Sequence, residues 1–570
     1  MVGSASGAHS SDDDRPASDT LQIPWAWLAQ HGPALARLCV YVTAILVAGP
    51  FFYHVAHGSN AFLGLLEDDH YYYAIVADNL IRAGKLTYDG ATITNGFHPL
   101  WFAVVALLRA LFGRFGSAFF VALTVVSVVA IAVTYELGRV FALKIGASRG
   151  TAVVAAAAYS FGTAQLLTNG MECVIAVPLF MWLLIELAEP GTVTIRRAAK
   201  LGFVSSLAIL ARLDIALLVP LFIAAFVVIV RPAAGRFIRL LLAFCAAGSL
   251  VPIYAIANVL LVGSPLPVSA VAKRLITTPG FSIAYARGIA FGTMYGTTIG
   301  FMLPLGVLAW LRLVWKDRGS QPYARFVCGL TLVYTFIFFG LNALSGWIVF
   351  GWYAFPLVPA TIVAIVCIVQ RWGSICSAKH SVAIATLVLA IAPAQAAVYY
   401  VQHGPFGTIA DNTLVSMSYD LKDHLKGRHG LFAMGAIAGI ATFVLDEPVL
   451  QLEGIVSDRQ MVDHVRQEHD LGDVLREYGA DYLIVSLASV RAQPRDGCYL
   501  VTQPHDEWAG TRTAKMRGEI CSEPVEHFFT PSGSSPWAIF PTIETLVWDL
   551  HDARWKSNSR DPGVSALGSP

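Results

Sequence analysis

Apolar residues run in long blocks from Arg37 to about Tyr400, broken by short loops, while both ends of the chain are polar. The blocks predict helices near 38–56, 117–138, 151–168, 173–188, 201–211, 214–230, 240–262, 288–311, 326–343, 352–370 and 381–400, eleven in all. A bilayer core needs about 20 apolar residues. Several blocks are shorter, 201–211 most of all, and are expected to be tilted, extended or bent. Pro99–Phe112 is apolar but short and carries Arg109. A crossing there would turn every later basic loop outward, so it is predicted to be a juxtamembrane helix on the outer side.

Past residue 400 the pattern changes. Leu431–Met434, Val449–Leu452 and Tyr482–Val485 read as short strands, and Arg459–Tyr478 has apolar residues at helical spacing. Gly435 and Gly439 follow the first strand and read as a turn. The predicted organisation is a disordered cytoplasmic tail (1–34), a transmembrane domain (35–400) with one long external loop (57–116), a soluble α/β domain (401–554) and a loose tail (555–570). The long, partly acidic start does not fit a cleaved signal peptide, so the first span reads as an uncleaved anchor.

Composition narrows the class. Of 570 residues, 56% are hydrophobic and only 14% are charged, against about 25% in a soluble protein. That excludes a soluble enzyme, a disordered scaffold and a disulfide-framework secreted protein. A net charge of +1 argues against nucleic acid as a partner. The basic residues sit in five short loops, around Lys144, Arg197, Arg236, Lys316 and Lys379. Such loops face the cytoplasm. The N-terminus is then cytoplasmic and the α/β domain lies outside.

This topology collects unusual residues on the outer face: Glu67-Asp68-Asp69, Asn95–Pro99, Asn169–Glu172, Arg212-Leu213-Asp214 and Lys273-Arg274. Ionisable groups at membrane depth usually line a pathway or a site. Asp68 and Asp69 stand at the start of a short helix, where a cap is the plain reading, followed by an interfacial belt of Tyr71, Tyr72 and Tyr73. Three adjacent carboxylates exceed what a cap needs. One of them suits a general base poised by burial and like charges.

Asp68-Asp69-His70 with the three tyrosines, Ala77–Leu80, Thr87–Gly90 and Thr94–Trp101 resemble the first external loop of GT-C glycosyltransferases. That family includes protein O-mannosyltransferases, aminoarabinose transferases of lipid A and mycobacterial arabinofuranosyltransferases. The resemblance implies a polytopic helical fold and a polyprenyl-phosphate-linked sugar donor. It also implies an envelope glycan, lipid or protein as acceptor, a bacterial inner membrane facing the periplasm, and an inverting displacement. It places the catalytic base at Asp69, with Asp68 one residue away as the alternative. Where relatives carry Glu or a small residue this chain has His70.

Lys273 and Arg274 suit the leaving lipid phosphate, with snorkelling to headgroups as the other reading. His98, Asn95, Glu172, Tyr72 and Arg212 are candidates for substrate binding. His98 is equally suited to a structural place before Pro99, and Arg212–Asp214 reads first as an ion pair. A divalent cation is left open and its ligands are unknown. No nucleotide loop, HExxH or paired CxxC is present. Cys498 and Cys521 are the two cysteines of the soluble domain and are expected to form a disulfide in an oxidising compartment. The competing function is a transporter or flippase of lipid-linked sugars. Such proteins tend to show internal repeats and midplane charges, and neither stands out here.

Overall fold

The computed structural model describes residues 25–58, 60–113, 116–158, 160–230, 232–273, 275, 303–316, 322–345, 350–372, 413–487, 494–505, 514–531 and 542–556. The first part of the expected helix over 288–311 (residues 288–302) and all of that over 381–400 lie outside these residues, as does Arg274.

The apolar blocks fold as helices. They are α1 (Trp25–Ala56), α2 (Asp68–Ala83), α3 (Pro99–Phe112), α4 (Ser117–Lys144), α5 (Arg149–Ala157), α6 (Ser160–Thr168), α7 (Cys173–Ala188) and α8 (Ile195–Ala211). After them come α9 (Leu218–Val230), α10 (Ala234–Ala247), α11 (Leu250–Val262), α12 (Val268–Ala272), α13 (Leu303–Lys316), α14 (Pro322–Ser345) and α15 (Leu357–Trp372). Three helices among the described residues (in α1, α4 and α14) are long and apolar enough to cross a membrane, or five if each bent pair is one span. The expected count of eleven is not confirmed by the described residues.

Two expected spans are broken: α5 and α6 meet at 51°, α10 and α11 at 52°. In the second pair Pro252, near the start of α11, has no N–H with which to continue the ladder from α10. The 201–211 block is extended back to Ile195, with Thr194 accepting the Arg197 N–H at 3.3 Å as an N-cap. Large apolar side chains face outward on many helices, among them Ile45, Val228, Leu260 and Leu308. Lipid is the solvent such a surface suits. The helix α1 starts within the stretch expected to be a tail.

Charge pairs join one set of helix ends. Arg37 on α1 meets Glu136 on α4, Lys144 on α4 meets Glu189 just beyond α7, and Lys200 on α8 meets Glu186 on α7. The opposite ends of these helices carry the 57–116 loop, the 169–172 turn and Arg212.

The C-terminal part is α/β. It comprises α16 (Thr413–His424), β1 (Phe432–Met434), α17 (Ala438–Leu445), β2 (Val449–Gln451), α18 (Arg459–Gln467), α19 (Leu471–Glu477) and β3 (Tyr482–Leu487). Four further strands follow: β4 (Tyr499–Gln503), β5 (Met516–Ile520), β6 (Glu526–Pro531) and β7 (Thr542–Asp549). A five-stranded sheet has the order β2-β1-β3-β7-β6, with β2, β1 and β3 parallel and β7 antiparallel to both neighbours. β4 and β5 form a separate hairpin, joined by the Cys498–Cys521 disulfide. The single helix expected over 459–478 is two helices: Glu468 turns left-handed at φ 52° and Asp470 caps the second. Trp555 packs against Gly472 and Gly518, and Lys556 pairs with Glu519. The packed chain therefore extends at least two residues into the expected tail.

Candidate active site

α2 begins where the chain leaves α1, and its start is packed from three sides. His70 is fully buried and its Nδ1 lies 2.8 Å from the Gly170 carbonyl, which also accepts the Trp101 indole N–H at 3.0 Å. Burial pushes His70 down to about 4, so the ring is neutral and Nδ1 is the donor. A Cβ on Gly170 (φ 78°) would lie 2.8 Å from that nitrogen. His70 is therefore a prop that holds the 169–172 turn against α2. Farther along α2, Asp78 accepts from Arg109 at 2.7 Å, which explains the charged residue in the apolar helix α3.

The turn that His70 fixes delivers Glu172. Its carboxylate pairs with Nη1 of Arg212, both groups being almost wholly buried. Arg212 Nε also donates to both carboxylate oxygens of Asp214 at 3.0–3.1 Å, and Nη1 to the Trp352 carbonyl at 3.2 Å. Its guanidinium lies 4.7 Å from the Tyr353 ring centroid and 4.6 Å from that of Phe355. Burial pushes Glu172 up, but Arg212 and then His98 outweigh it and hold the carboxyl below its usual range. The sequence shows no cation beside Glu172; the fold supplies Arg212.

These groups wall a cavity of about 470 Å³ lined by Asp69, Tyr72, Tyr73, His98, Glu172, Arg212, Ser269, Lys273, Trp352, Tyr353, Ile455 and Val456, among others. Of the residues proposed from sequence, the cavity gathers Asp69, Tyr72, His98, Glu172, Arg212 and Lys273. A larger cavity of about 760 Å³, among α8, α9, α10 and α14, is apolar, with Arg197 as its only ionisable lining residue besides a tyrosine. It offers no general base.

Asp69 is pushed up to about 7 by burial, against the pull of Lys273 and with the help of Asp68, Glu172 and Glu453. Glu67 also rises to about 7, from burial and then from Asp69 and Asp68. Burial alone would lower the Lys273 ammonium; Tyr353 and Asp69 turn the balance and raise it. Lys273 donates to the Tyr353 hydroxyl at 3.1 Å. His98 Nδ1 accepts the Leu213 N–H at 3.4 Å, and Nε2 lies 3.8 Å from Glu172. Burial lowers the His98 ring despite Glu172.

Two candidates sit elsewhere. Asn95 does not line the cavity: its Oδ1 accepts the Val268 N–H at 2.9 Å, anchoring the start of α12, which leads into Lys273. Asp68 also points away, its carboxylate accepting the backbone N–H groups of Gly439 and Ile440 at 3.1 and 2.8 Å. Among the described residues no group of three or more His, Cys, Asp or Glu is placed to hold a metal.

Sequence reading did not select Tyr73, Ser269, Glu453, Ile455 or Val456. Tyr73 could have been found, because it repeats the spacing of a helix face after Asp69. Glu453, Ile455 and Val456 had no local signal; they arrive through the docking of the α/β part.

No protein-family model matches the chain, and no curated protein is similar to it in sequence. Among solved structures it is similar to the apo oligosaccharyltransferase of Archaeoglobus fulgidus, at TM-score 0.48 and 11% identity over 81% of this chain and 70% of that one. It is also similar to ArnT from Cupriavidus metallidurans bound to undecaprenyl phosphate, at TM-score 0.45 and 13% identity over 92% of this chain and 98% of that one. A third similar structure is the Archaeoglobus fulgidus AglB with an inhibitory peptide and a dolichol-phosphate, at TM-score 0.48 and 11% identity over 80% and 70%.

Proposed function

We propose that this protein is a membrane glycosyltransferase that moves one sugar from a polyprenyl-phosphate donor to an acceptor hydroxyl on the outer side of a bacterial inner membrane. The acceptor class is an envelope glycan, lipid or protein. The observation that carries this reading is the half-buried carboxylate of Asp69, raised to about 7, sharing one small cavity with the half-buried cation Lys273.

Asp69 takes the proton of the acceptor hydroxyl as its oxygen attacks the anomeric carbon. The new C–O bond forms as the bond from that carbon to the phosphate oxygen breaks, with inversion. The lipid phosphate leaves with the electron pair, and Lys273 meets its charge. Asp69 then returns the proton to solvent. Arg212 Nε and Nη1 are engaged by Asp214, Glu172 and the Trp352 carbonyl, so Arg212 builds the wall while Lys273 is the cation beside the base. Tyr72 and His98 offer the hydroxyl and ring that can contact the sugar.

The test is transfer of labelled sugar from a polyprenyl-phosphate donor in membranes holding the full chain. Asp69→Asn is expected to lower the rate at least about 100-fold. Asp69 accepts a proton only when ionised, so wild-type kcat/KM should fall as pH drops through about 7. Transfer unchanged in Asp69→Asn removes Asp69 as the base. A wild type that consumes no polyprenyl-phosphate sugar ends the enzyme reading.

A further inference from the structure

We propose that Asp68 is a positioning residue: the first turn of α17 grips its carboxylate, so that the α/β part fixes the helix start that presents Asp69. This rests on the reading of Asp69 as the base, but the grip itself stands on geometry alone.

Asp68 and Asp69 are neighbours in the first turn of α2, yet only Asp69 lines the cavity. Both oxygens of Asp68 are taken, Oδ1 by the Ile440 N–H at 2.8 Å and Oδ2 by the Gly439 N–H at 3.1 Å. The first amides of a helix have no intrahelical partner, and the helix dipole favours an anion there. The bonds are charge-assisted, hence stronger than neutral ones. Here the helix in need of an N-terminal anion and the carboxylate that supplies it lie about 370 residues apart in sequence.

The approach is close and specific. A Cβ at Gly439 would sit 2.2 Å from the Asp68 carbonyl oxygen, so no other residue fits. Ile437, just before α17, holds φ 57°, a left-handed conformation that is strained for a β-branched residue. This left-handed residue directly precedes the amides that meet Asp68. Other contacts run beside the grip. The Tyr88 hydroxyl lies 2.7 Å from Thr442 Oγ1 and 3.0 Å from the Ala438 carbonyl, and the rings of Tyr71 and Phe443 meet at 5.0 Å. The same docking brings Ile455 and Val456 to the cavity wall. It leaves Gly96 no room for a Cβ, which would lie 2.0 Å from the Ile455 carbonyl.

The experiment compares wild type, Asp68→Asn and Gly439→Ala as full chains in lipid nanodiscs, by hydrogen exchange and by sugar transfer. Both variants should speed exchange of the amides over 438–445 by about tenfold or more. Both should slow transfer by about 10- to 100-fold while staying above Asp69→Asn. Their pH profiles should differ. Asp68→Asn removes a negative charge next to Asp69, so the acidic limb moves to lower pH; Gly439→Ala keeps the charge, so the limb stays. Unchanged exchange over 438–445 in both variants overturns the proposal. So does Asp68→Asn as inactive as Asp69→Asn beside a normal Gly439→Ala, since Asp68 would then be the base. If the wild type transfers no sugar, the functional reading fails while exchange alone still decides the grip.

Discussion

Asp69 and Asp68 are chemically identical, and their surroundings give them different work. Asp69 meets Lys273 across a small cavity, whereas Asp68 meets backbone amides. Burial raises both, Asp68 to about 6 and Asp69 to about 7, and the amides of Ile440 and Gly439 hold Asp68 back. The lysine has two separable effects. It lowers the Asp69 carboxyl toward the working range, and in the proposed reaction it would meet the charge of the leaving phosphate. Lys273→Met removes both. The acidic limb of the transfer profile should move to higher pH, because the group that favoured ionised Asp69 is gone, and KM for the donor should rise. A rise in KM with no movement of the limb would mean that Lys273 does not sense Asp69. A neutral mutant in both measures would take Lys273 out of the site.

At the scale of elements, α2 works as a bracket between the helical part and the α/β part. Its start is held by Gly170 through His70 and by α17 through Asp68; its last turns are held by α3 through Asp78 and Arg109. Asp78→Ala leaves a buried guanidinium without this carboxylate. Removing one partner of a buried pair costs about 3–5 kcal/mol, and thermal unfolding of the nanodisc-held protein should show that loss; an unchanged melting temperature would make the pair incidental. Much of this bracket was legible beforehand. The apolar blocks predicted most described helices, and the run from Glu67 to Tyr73 marked the start of α2. Arg109 has no local signal of its role, because its partner, 31 residues earlier, leaves no periodic trace. Glu453, Ile455 and Val456 were invisible for the same reason on a larger scale: nothing near them in sequence says which surface they will meet. The bends between α5 and α6 and between α10 and α11 also escaped, since a hydropathy block records length and apolar content but not direction.

For the whole molecule, α1 and α8 run one way and α4 and α7 the other, and this packing sorts charge by end. Arg37, Lys144 and Lys200 pair with carboxylates at one end, and Asp69, Glu172, Arg212 and Lys273 gather at the other. Cytoplasmic loops hold excess Lys and Arg, so the paired end should face the cytoplasm and the cavity the outside. The Cys498–Cys521 disulfide agrees, because such bonds persist in oxidising compartments. Reporter fusions test the assignment. Alkaline phosphatase joined after Pro570 should be active and a green fluorescent protein there dark. The same pair joined after Ser148, in the loop between α4 and α5, should give the reverse. Phosphatase inactive at the C-terminus would put the cavity on the cytoplasmic side. A cytoplasmic cavity would meet a donor and an acceptor of the opposite leaflet, so the same two fusions also decide which pool of lipid-linked sugar Asp69 and Lys273 can reach.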